Sequence, residues 1–116
     1  MESVGSDARS TDLESKTITF TELFVADTIR VRTRQHDYEF SVSDLSSLRG
    51  TLTGGFLGDR QAGAILSGAM SADNTGFDSA GLKTGSRAVF FVETQEGVHR
   101  IITSVITDLA RSSGIS

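Results

Sequence analysis

The sequence predicts a mainly β domain, a small closed or partly closed antiparallel barrel of about five to seven strands. Three observations predict it. Short runs alternate apolar with polar residues and favour β-branched and aromatic side chains, glycine-centred turns separate them, and there is no long helix pattern. The chain has 116 residues with 12 glycines and no proline, so its sharp bends fall to Gly, Asn, Asp and Ser. That length predicts one core, not two.

Residues 1–16 are dominated by Ser, Asp, Glu, Gly and Thr with no apolar period, and are expected to form a disordered tail. The single β domain then spans 17–109. Thr17–Thr21 alternates as a strand, while Thr21–Ala26 fits either an extended segment or a helical turn, since Phe20, Leu23 and Phe24 lie at helix spacing. The clearest signal is the pair Thr28–Arg34 and Asp37–Val42. Paired as a hairpin, Ile29 faces Val42, Val31 faces Phe40 and Thr33 faces Tyr38 on one side, with Arg30 against Ser41, Arg32 against Glu39 and Arg34 against Asp37 on the other. The loop is either Gln35-His36 or the four residues Arg34–Asp37.

Ser43–Ser47 fits a single turn, Arg49–Thr53 a short strand ending at Gly54-Gly55, and Gly58-Asp59 a further turn. Ala62–Met70 is rich in small residues that suit a closely approached strand or a packed helix, and strand is the favoured reading. Ser71–Ala80 reads as a loop. A second hairpin joins Arg87–Glu93 through Thr94–Gly97 to Val98–Asp108, and 110–116 is expected to fray. Because Val89, Phe90, Phe91 and Val92 are all apolar, as are Ile101 and Ile102, this hairpin has no simple wet face.

From Ile29 onward, Val31-Arg32-Thr33-Arg34 before Tyr38-Glu39-Phe40, then Thr53-Gly54-Gly55, Gly81-Leu82-Lys83-Thr84-Gly85 and Ile102-Thr103-Ser104 follow in order. Over residues 29–109 this order resembles an uncharacterised family of small bacterial β proteins. In that pattern one residue separates the closing Ser from a Val, whereas here Val105 follows Ser104 directly. The resemblance implies a bacterial cytoplasmic protein and carries no functional residues across. A PilZ-type nucleotide barrel would need Arg-x-x-x-Arg, which Arg30 and Arg34 match, but Asp44–Gly50 has one residue too many for the Asp-x-Ser-x-x-Gly that follows.

Chemistry is sparse. Without cysteine there are no disulfides or thiolate sites, and His36 and His99 lack a ligand spacing, so no metal or cofactor is expected. Gly-x-Ser-x-Gly is absent, the carboxylates are scattered, and Gly76–Thr84 imitates a phosphate loop only with Leu82 inserted before Lys83. No catalytic residue is assigned, and a non-enzymatic protein is expected. The net charge of −4 argues against a wholly nucleic-acid-binding surface, and the longest apolar run, Ala88–Val92, is far short of the roughly 18 to 20 residues of a membrane helix. The N-terminus shows no secretory signal, so cytoplasm is the expected location.

Two candidate surfaces remain. Phe90, Phe91, Ile101 and Ile102 point to contact with a protein partner or a second copy of the chain. The alternative is nucleic-acid or nucleotide binding along Arg30, Arg32, Arg34 and His36, with Tyr38 as the nearby stacking aromatic. In the pairing above, Glu39 and Asp37 oppose two of those arginines and weaken the field.

Overall fold

The computed structural model describes residues 16–113. Ten strands lie among them: β1 (Thr17–Thr19), β2 (Thr28–Thr33), β3 (Asp37–Asp44), β4 (Arg49–Gly54), β5 (Gln61–Ser71), β6 (Phe77–Asp78), β7 (Gly81–Lys83), β8 (Ser86–Thr94), β9 (Gly97–Ile102) and β10 (Ile106–Ser112). Two short 3₁₀ turns, Phe20–Glu22 and Gly55–Leu57, complete the elements.

Alternation decides which side of each strand is buried. In β2 and β3, Ile29, Val31, Tyr38, Phe40 and Val42 all point inward and all are buried. The antiparallel order is β10-β2-β3-β4-β5-β8-β9, with β6 paired to β5, while β1 and β7 form a separate two-stranded sheet. The long sheet curls. Phe40 and Tyr38 on β3 meet Phe90 on β8 with ring centroids 5.7 and 6.4 Å apart, although β4 and β5 lie between those strands in the sheet. One core results, joined by Ile18, Phe20, Leu23 and Leu82 from the small sheet and the first 3₁₀ turn.

The mainly β, antiparallel reading therefore holds, but among the described residues neither sheet closes on itself, so they do not establish the closed or partly closed barrel expected from strand spacing. β9 and β10 stay as edges of the long sheet. Their separation also corrects the expectation that Val98–Asp108 is one strand. Thr103 ends β9: its N–H donates to the Ala88 carbonyl (2.9 Å), while its hydroxyl accepts from the Ala88 N–H (3.0 Å) and donates to the Ser104 carbonyl (2.8 Å). The chain then crosses and resumes as β10 against β2, where Arg111 lies opposite Ile29 and Ser112 opposite Thr28. Pairing with β2 thus continues to Ser112, and 114–116 of the stretch expected to fray lie outside the described residues. The expected tail lies outside the described residues except for Lys16, whose ammonium is 2.7 Å from Asp108.

The first hairpin keeps its predicted faces but not its register. Ile29 lies opposite Phe40, Arg30 opposite Glu39, Val31 opposite Tyr38 and Arg32 opposite Asp37. This is a slip of two residues, which leaves every side chain on its expected side. Thr33 sets it. Its hydroxyl accepts from the Gln35 and His36 N–H groups (3.3 and 3.0 Å), and both its N–H and its hydroxyl donate to the His36 carbonyl, each at 2.9 Å. A side chain thereby closes a loop whose residues have no positive φ.

The small-residue run is a strand, as favoured. In β5, Ala64 and Leu66 point inward, a bulge at Ser67 shifts the phase, and Ala69 points inward beyond it. Gly68 (φ 152°) lies on the outer side beneath Phe77 and Asp78, because the segment read as a loop doubles back as β6.

Candidate functional site

Three surfaces bear on function. The first is the outer face of β10, β2 and β3, where the arginine stripe was expected. Arg30 sends Nε and Nη2 to Glu39 Oε2 (3.3 and 3.0 Å), and Arg32 Nε lies 3.3 Å from Asp37 Oδ1. Asp108 lies beside Arg32 across the strand pair, and the Lys16 ammonium hydrogen-bonded to it holds its carboxyl below the usual range. Charges alternate in sign here, so the positive field is largely cancelled. His36 stands edge-on to Tyr38, 6.2 Å between ring centroids. Tyr38 is buried in the core, where burial pushes its phenol above its ordinary value, and it offers no face to a base.

Arg34 departs from the stripe. It sits past the end of β2 at the exposed hairpin tip and, with Arg87, lines an open groove of about 580 Å³ completed by Gln35, Ser104, Val105 and Thr107. The second surface is therefore this groove, brought together from the β2–β3 tip, the start of β8 and the β9–β10 crossing. Sequence reasoning missed Arg87, and no local signal marks it.

The third surface is the outer face of β5, β8 and β9. The four residues expected to mediate contact divide between the two sides. Phe90 is wholly buried and Ile101, opposite it, packs against the core, whereas Phe91 and Ile102 face outward. Phe91 lies between Ile65 and Arg100, and Ile102 lies opposite Val89. Val89 is nonetheless buried, in a row with Gly68 on which the Phe77 ring rests, so β6 gives part of the intramolecular cover this hairpin needs. Beyond it Phe77, Val98 and Ile102 remain 51%, 63% and 36% exposed. Neither Phe77 nor Val98 was singled out by the sequence, since one sits in an apparent loop and the other next to a turn.

Among the described residues no group of three His, Asp or Glu side chains is arranged to hold a metal ion, and no helix is long and apolar enough to cross a membrane. The fold and these surfaces define an antiparallel β domain with an open sheet edge. No family model, curated protein or solved structure matches the chain.

Proposed function

We propose that this protein is a non-enzymatic binding module that associates with a second copy of itself through the outer face of β5, β8 and β9. The observation that carries the reading is the largely apolar surface left there by half-buried Ile65 and Phe91 and exposed Phe77, Val98 and Ile102, with Arg100 between the last two. It ends at the open edge of β9, where backbone N–H and C=O groups have no neighbouring strand among the described residues. A second copy meets both needs at once, because a twofold axis lets one patch cover its own equivalent and one edge pair with another.

Sedimentation over a wide concentration range tests this, comparing wild type with Val98→Asp. Val98 is 63% exposed, so the charge leaves the monomer folded while placing an unpaired carboxylate in the interface. The wild-type mass is expected to double with concentration, and the variant to remain a folded monomer whose Tm lies close to that of wild type at low concentration, lowered only slightly by the new carboxylate opposite Glu93. A wild type that stays monomeric throughout, or a variant that dimerises as well as wild type, refutes the reading.

A further inference from the structure

We propose that the groove at the tip of the first hairpin binds an oxyanion, a phosphate or carboxylate group carried by a small ligand, between Arg34 and Arg87. The inference rests on different residues from the self-association reading and stands apart from it. Arg30, Arg32, Arg49 and Arg111 each face a carboxylate. Arg34 and Arg87, like Arg60 and Arg100, have no carboxylate partner among the described residues, but Arg34 and Arg87 share a groove that no Asp or Glu lines.

Arg87 is also fixed in place. Its Nε donates to the Ala72 carbonyl at 3.2 Å and its Nη1 to the Thr103 carbonyl at 3.4 Å, so backbone oxygens orient the guanidinium and leave Nη2 without an acceptor among the described residues. Gln35 adds a neutral donor. The Ser104 hydroxyl donates to Gln35 Oε1 at 2.7 Å, which turns the amide so that its NH₂ group is left for a ligand. Arg34, Arg87 and Gln35 thus line one open space of about 580 Å³, within the size range of small-molecule sites. Arg34, with no acceptor among the described residues, can offer its planar fork to the paired oxygens of carboxylate or phosphate, and Arg87 adds its Nη2 as a single held donor.

The test follows the Arg34 and Arg87 Nε–H and the Gln35 side-chain NH₂ by ¹H–¹⁵N NMR during titration with inorganic phosphate and, separately, succinate, at constant ionic strength. Saturable shifts at these three groups are expected with at least one anion, and the tighter of the two identifies phosphate or carboxylate as the preferred group. Arg34→Gln, at an exposed tip where folding is not at stake, is expected to weaken binding about tenfold, as for loss of a charge-assisted pair. Arg30→Gln, outside the groove, leaves it unchanged. Arg87→Lys keeps the charge but loses the two backbone bonds that aim the Nη2 donor, and is expected to weaken binding too. Shifts that never saturate, that spread equally to Arg30 and Arg60, or that persist undiminished in Arg34→Gln overturn the proposal.

Discussion

Phe90 and Phe91 are neighbours in one strand with the same side chain, and their truncation should separate the two faces of the sheet. Phe90 is 0% exposed and packs against Phe40 and Tyr38 at 5.7 and 6.4 Å between centroids. Phe90→Ala removes a fully buried ring from the meeting point of β3 and β8, leaving a cavity whose walls belong to separate strands and collapse poorly. The expected loss is about 3–5 kcal/mol, which for a domain of this size lowers Tm by roughly 12 °C or more. Phe91 lies on the outer face and is partly exposed, so Phe91→Ala forfeits only part of a burial term and leaves no enclosed cavity, at about 1–2 kcal/mol. Urea unfolding at low protein concentration, where self-association does not contribute, measures both against wild type. A Phe91→Ala cost equal to or above that of Phe90→Ala would refute the placement of a single core inside the curled sheet.

Two further outcomes follow from local geometry. In Gly68→Ala the new methyl would fall on the Asp78 carbonyl oxygen and 2.8 Å from the Phe77 ring, at a backbone φ of 152° that side chains rarely adopt. Urea unfolding should register a loss of about 1–3 kcal/mol, the usual cost of overpacking, whereas Gly76→Ala, with nothing nearer than 3.7 Å, serves as the neutral control; equal costs would show that β6 does not press on Gly68. Asp73 accepts hydrogen bonds from the Thr75 and Ser71 hydroxyls, which hold its pKa at about 2 against an ordinary 3.8. Because the folded value is the lower one, its contribution to stability is present above about 3.8 and is lost as pH falls through about 2. Carboxyl NMR titration should find the depressed value, with Thr75→Val moving it back up; a wild-type Asp73 titrating at the ordinary value contradicts these bonds.

The faces of the first hairpin were legible in the sequence because alternation is a local property: Ile29, Val31, Phe40 and Val42 declare their side whatever strand lies beside them. Their partners were not. A slip of two residues preserves every face, so hydrophobic pattern cannot distinguish the two registers, and the decision fell to the Thr33 hydroxyl closing the loop. The β8 strand shows the same limit. Its residues Val89 to Val92 announced apolar groups on both sides, but the outer cover over Val89 comes from β6, inside the Ser71–Ala80 segment whose Asn74, Gly76 and Asp78 read as loop.

Composition and period by themselves determined that this chain is mainly β, antiparallel, turned at glycines and built around alternating strands, since each of those properties is written in neighbouring residues. Only the tertiary structure decided that the sheet stays open, that β10 leaves the second hairpin to pair with β2, and that Arg34 abandons its stripe to share a groove with Arg87. The physical reason is common to all three. Pairing, closure and convergence depend on backbone groups and side chains far apart in the chain finding one another in space. Such contacts are selected by the free energy of the whole core, and no local window of sequence contains both partners.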